Sequence, residues 1–184
     1  AAPGHGAVPA AAAAAASFGA AGSLGPLGPL TELAIRRIRL SSQVAAAKRG
    51  TGTPVDDPAR ERQELERVRQ QATRLGLDPD ATARFFGDQI AASKVVQRAL
   101  LAAWDADPSS APSDHPSLTS LRTDLDAVTQ QILRELVSTR QVREPSAGCS
   151  AALEEAAATG AATHRLDALH REALRVALRS VCAD

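Results

Sequence analysis

Two Asp-Pro pairs constrain the fold more than any other feature of the chain. Asp57-Pro58 and Asp78-Pro79 each head a long run rich in Ala, Arg, Gln, Glu and Leu. An Asp at the cap position accepts from backbone N–H groups that a helix start leaves unpaired. Pro suits the first helical position, where its missing N–H costs nothing. Thr31 and Ser117 offer further caps, and Gly50 and Gly76 are C-terminal stop signals. These signals predict helices over 31–49, 58–75, 78–106, 118–143, 150–159 and 163–181. The expected fold class is all-α, a single six-helix domain over 31–184. Aromatics are almost absent (Phe18, Phe85, Phe86 and Trp104), which argues against a sandwich or barrel.

Residues 1–30 differ from the rest. They are Ala/Gly/Pro-rich, with Ala10 to Ala16 unbroken and no Lys, Arg, Asp or Glu. Such a stretch buries too little surface to offset chain entropy and is expected to be a disordered tail. It also reads as what remains of a cleaved export signal, or as the apolar part of one whose basic start is absent. Acidic and basic residues balance at a formal net charge of +0, so no overall field recruits nucleic acid or an anionic membrane. No apolar run reaches the length of a membrane span.

Cys149 and Cys182 flank the last helical region. They lack the CxxC or His spacing of a metal site. Two unrelated buried thiols are one reading. A bridge is the other, closing a loop of about 33 residues for roughly 3–4 kcal/mol and implying an oxidising compartment.

Several polar residues stand where they can converge. Arg60 lies in the first turn of the second helix, where a cation opposes the helix dipole; an anion to be held explains it better. Arg37 and Lys48, eleven residues apart, differ by only about 20° around the helix axis and lie about 16 Å apart along it. Two cations on one face can grip the ends of a small anion, although a solvated stripe has the same spacing. Arg60 and Glu64 share a face one turn apart, as an ordinary ion pair also would. Ser93 and Gln97 are likewise one turn apart and offer neutral donors, with Lys94 expected to point away from them. Arg122 is a second cation near a helix start. His164 and His170, six apart, fall on different faces and make no ligand pair. No Gly-rich phosphate loop and no Ser/His/Asp set stands out.

Together these spacings resemble a family. The order Arg37, Lys48, Asp57, Arg60-Glu61, then Ser93 and Gln97 is similar to that of the all-helical (AroQ-type) chorismate mutases. Pro54-Val55-Asp56-Asp57 ahead of Arg60-Glu61-Arg62 agrees with this, as does Leu77-Asp78-Pro79-Asp80-Ala81-Thr82-Ala83-Arg84-Phe85-Phe86 ahead of the Ser/Gln helix. Leu121-Arg122-Thr123-Asp124-Leu125 resembles the family's Arg-bearing helix, which opens the chain in the short cytoplasmic members and here follows the Ser/Gln helix. That order, with the Cys149/Cys182 pair after it, resembles the exported gamma subclass. The resemblance covers about Leu30 to Cys182.

The resemblance implies the substrate and the roles. Chorismate, a dianion, rearranges to prephenate by a concerted [3,3] shift, which requires conformational selection and stabilisation of charge on the ether oxygen. No cofactor, metal or nucleophile is implied. Arg37 and Arg122 would hold carboxylates as bidentate guanidinium groups. Arg60 would support the second carboxylate or the ether-oxygen side. Lys48, assisted by Gln97, would sit at the ether oxygen, and Ser93 would donate to a carboxylate. Glu61 or Glu64, with the backbone near Asp57, would receive the ring hydroxyl. Some relatives carry Glu in place of Gln97; an amide donates at any pH. The resemblance further implies a Cys149–Cys182 disulfide, a periplasmic or secreted location, and a homodimer with one active site per chain. Two alternatives remain: an isochorismate pyruvate-lyase on the same fold, and a non-catalytic helical interaction module.

Overall fold

A computed structural model describes residues 25–182. The order of its α-helices is α1 (Gly28–Thr51), α2 (Pro58–Arg74), α3 (Pro79–Ala106), α4 (Leu118–Ser138), α5 (Ala147–Thr163) and α6 (Ala168–Leu178), with a short 3-10 turn at Pro108–Ser110. The described residues contain no strand. Residues 1–24, most of the expected tail, lie outside the described residues.

The caps act as their side-chain chemistry dictates. Asp57 Oδ1 accepts from Arg60 N at 3.2 Å, and Asp78 Oδ1 from Asp80 N and Ala81 N at 2.9 and 3.0 Å. Ser117, Ser146 and Asp167 head α4, α5 and α6 in the same way.

Helix α1 is the hub, packing against α3, α4, α5 and α6. Its apolar positions therefore form no single stripe, because nearly every side of it is covered. Leu30, Ala34, Ile35 and Ile38 are all essentially solvent-free. Against them pack Val96 of α3, Val128, Ile132 and Leu133 of α4, and Ala173, Leu174 and Ala177 of α6. The α1–α5 crossing is close at Gly160: a Cβ there would lie 2.7 Å from Ile35 Cδ1, so the Ile35 side chain would have to shift.

Four helices, α1, α4, α5 and α6, depart from their expected boundaries by more than one residue. Helix α1 begins at Gly28, not Thr31, because Leu27 and Leu30 are buried and hold the chain against the core. Helix α4 ends at Ser138, not at 143. There Arg143 Nη2 donates to Leu136 O at 2.6 Å, satisfying a carbonyl that another turn would have used. Helix α5 starts at Ala147 on the Ser146 cap and runs through Gly160 to Thr163, since this glycine serves packing. Helix α6 starts only at Ala168, after a turn in which Arg165 adopts φ 50°. Cys149 and Cys182 are disulfide-bonded, with Cα atoms 5.9 Å apart.

Candidate active site

One cavity of about 450 Å³ opens between α1, α2, α3 and α4. Its lining includes Arg37 and Lys48 of α1, Asp57 at the head of α2, Arg60, Glu61 and Glu64 of α2, Ser93 and Gln97 of α3, and Arg122 of α4. All nine candidate residues of the sequence are thus brought to one place, and all come from one chain. Val44, Val68, Phe86, Ile90 and Leu125 supply apolar wall.

Arg37 is the most revealing member. Its Nε is shielded from solvent and has no hydrogen-bond partner within the chain. Burial pushes its pKa below the usual guanidinium value, with Glu64 and then Asp126 opposing that push. A desolvated guanidinium N–H without a partner is costly unless something binds it. Lys48 is similar. Its pKa is lowered by burial first and by Arg122 second, against the carboxylates of Glu61, Asp57 and Asp56. Its Nζ donates to Val55 O at 3.2 Å, in the loop between α1 and α2.

Carboxylates hold the remaining parts in place. Arg60 Nε lies 3.2 Å from Glu64 Oε1. Glu61 is engaged at both oxygens, accepting from Asp57 N at 3.1 Å and pairing with Lys94 Nζ at 2.7 Å. Lys94 also pairs with Asp56 at 2.9 Å, and Arg98 Nη2 lies 2.7 Å from both oxygens of that carboxylate. Lys94 therefore lines the cavity and straps its loop, contrary to the expectation that it points away. Nothing in local sequence spacing pairs it with Asp56, 38 positions earlier, because that contact depends on how the loop folds back. On the α3 side, Gln97 Nε2 donates to Ser93 Oγ at 2.9 Å, while the buried Gln97 Oε1 has no partner.

A Ser/His/Asp set does exist elsewhere, which the sequence did not reveal. Ser42 Oγ lies 3.0 Å from His170 Nε2, and His170 Nδ1 lies 2.6 Å from Asp167 Oδ1. Their hydrogen-bond order is that of a hydrolytic triad. Ser42, however, sits mid-helix, where the helix uses its neighbours' N–H groups and no backbone donors remain for an oxyanion. The set ties α1 to the head of α6. His164, for its part, pairs with Glu32 at 2.5 Å.

A family model described as chorismate mutase type II matches residues 29–98. A secreted chorismate mutase of Mycobacterium tuberculosis is 30% identical over 151 residues, spanning 82% of this chain and 75% of that protein. A secreted chorismate mutase of Mycolicibacterium smegmatis is 32% identical over 151 residues, spanning 82% of this chain and 83% of that protein. The chain belongs to the chorismate mutase family. Its fold agrees with solved members: the chorismate mutase of Burkholderia phymatum superimposes with a TM-score of 0.82 at 33% identity, covering 89% of this chain and 99% of that one. That of Burkholderia thailandensis gives 0.80 at 36% identity, covering 85% and 99%. The family model stops at Arg98, so Arg122 and the disulfide lie beyond its reach. With its secreted relatives and its Cys149–Cys182 bridge, the chain is an exported member of the family.

Proposed function

We propose that the cavity binds chorismate as a dianion and converts it to prephenate, with each residue in the following role. Arg37 and Arg122 grip carboxylates, Arg60 supports the second carboxylate and the ether-oxygen side, and Ser93 donates to a carboxylate. Lys48 stabilises the negative charge that develops on the ether oxygen, and Gln97 supplies a neutral N–H beside it. Such donors, fixed in place and screened from water, act at the transition state without reorganisation. The observation that carries this reading is the half-buried Arg37, with a shielded and unpartnered Nε, in a cavity that also holds Lys48, Arg60 and Arg122.

Glu61 receives the ring hydroxyl. Its carboxylate is held in position by Lys94 and the Asp57 N–H, and each oxygen retains a lone pair for a further donor. Glu64 serves Arg60 and tempers the charge beside Arg37. The domain is the span 31–184 together with the start of α1. The protein acts in the periplasm or outside the cell, as a homodimer with one complete site per chain; that all nine residues belong to a single chain supports the last point. Following the loss of chorismate absorbance with purified protein, with and without Lys48→Ala, tests the activity. Prephenate is the expected product. Release of pyruvate from isochorismate in preference to it would assign the lyase reaction instead.

A further inference from the structure

Ser41 does not line the cavity, yet its hydroxyl reaches Ser93, a residue that does. Ser41 is 2% exposed, and its Oγ lies 2.8 Å from Ser93 Oγ and 2.9 Å from Arg37 O. The direction of these bonds follows from valence. A carbonyl only accepts, an amide N–H only donates, and a hydroxyl has one proton. Ser41 is the donor in both of its contacts, so in the free protein its one proton alternates between Ser93 Oγ and the Arg37 carbonyl, while Gln97 Nε2 also donates to Ser93 Oγ.

Other helical hydroxyls in the chain show what Ser93 would do without this neighbour. Thr51, Thr73, Thr82, Thr123 and Ser138 each donate to the carbonyl four residues earlier. That is the default for a hydroxyl inside a helix. Ser93 instead turns across to α1 and along to Gln97. Its own fourth-residue carbonyl belongs to Gln89, on the turn before it.

We propose that Ser41 is a positioning residue that holds the Ser93 hydroxyl away from this default, so that its proton is available to a substrate carboxylate. When that carboxylate arrives, the Ser93 proton rotates into the cavity. The Ser41 proton then stays on Ser93 Oγ instead of alternating with the Arg37 carbonyl. Both lone pairs of Ser93 are then filled by donors, from Gln97 and Ser41, which strengthens it as a donor in turn. No proton changes its owner; one hydroxyl rotor turns and the other settles. This inference rests on the role given to Ser93 above.

The test is a double-mutant cycle in the full chain, with chorismate as substrate and melting temperature recorded alongside. Ser41→Ala is expected to raise KM about fivefold with kcat little changed, the size of one ordinary hydrogen bond. Ser93→Ala raises KM at least as much, and the double variant no further than Ser93→Ala alone. The proposal is overturned if Ser41→Ala leaves KM unchanged, or if its effect is undiminished in the Ser93→Ala background. A lower kcat at unchanged KM, with a lower melting temperature, also overturns it, since loss of folded protein gives that pattern. If Ser93→Ala itself leaves KM unchanged, the role given to Ser93 fails and the Ser41 proposal falls with it; if only Ser41→Ala is silent, the role of Ser93 stands.

Discussion

Arg37 and Arg39 sit two residues apart on α1, and everything that matters about them differs. Arg39 points toward the end of α5, where its Nη2 donates to the carbonyl of His164 at 3.0 Å. There it completes a helix C-terminus, as a cation does well. Arg37 points into the cavity with a shielded Nε that nothing in the chain satisfies. The same contrast divides the two ends of the molecule. Around α5 and α6 a disulfide closes the chain and the buried atoms left unpartnered, Thr31 Oγ1, Asp88 Oδ2, Gln89 Oε1 and Ser180 Oγ, are all oxygens; between α1 and α4 a cation is among the incomplete groups. Residue type is equal at 37 and 39, so function shows in what remains unbonded.

The largest effects should fall on the incomplete side. Lys48→Ala is expected to lower kcat/KM about 10²–10³-fold, the loss typical of one donor to a developing oxyanion. Arg39→Ala should leave kcat/KM within about twofold. Comparable losses in the two variants would erase the distinction drawn here. At the closed end, replacing Cys149 and Cys182 together by Ser should remove roughly 3–4 kcal/mol of stability in the chain-entropy model, lowering Tm by about 10 °C. Turnover at 25 °C should stay near wild type. A large loss of activity in protein that is still folded would show that the two ends are coupled.

Titration separates the ends more finely. Gln97 carries no ionisable proton, so kcat is expected to be nearly flat across neutral pH, and a steep rise toward acid would contradict its role. Lys48 must be charged to act, and its pKa is held below 10.5 by burial and by Arg122. Activity should therefore fall on the alkaline side at a pH below that of an ordinary lysine. The stability of the free protein should move the opposite way. Between the lowered value and 10.5 the unfolded chain keeps a proton that the folded one has shed, so Lys48 contributes rising stability as pH increases. A smaller loss than that at Lys48 belongs to the strap. Lys94→Ala removes its pairs with Asp56 and Glu61 and should raise KM about two- to fivefold, less so in high salt, since these pairs are partly exposed.

The parts of the structure that were legible in the sequence are those set by local chemistry. Asp57, Asp78 and Ser117 mark helix starts because a cap acts within three residues. Arg37 and Lys48 were paired by helical angle alone, and both line the cavity. What escaped depends on distant contacts. Ser41 meets Ser93 across 52 positions, and Ser42 meets His170 across 128. The end of α4 was lost because Arg143 captures a carbonyl seven residues back, which no stop signal announces. The α5–α6 break turns on Arg165, a residue with none of glycine's usual freedom at positive φ.

Because α1 touches four other helices, it has almost no free perimeter on which its sequence can drift. Helix α2 buries only Val68 and Ala72, and its outward face can vary widely at little cost. Random substitution should therefore be tolerated along most of α2 and rejected along most of α1. The fold's mutational resilience is distributed by helix contact, not by distance from the catalytic cations.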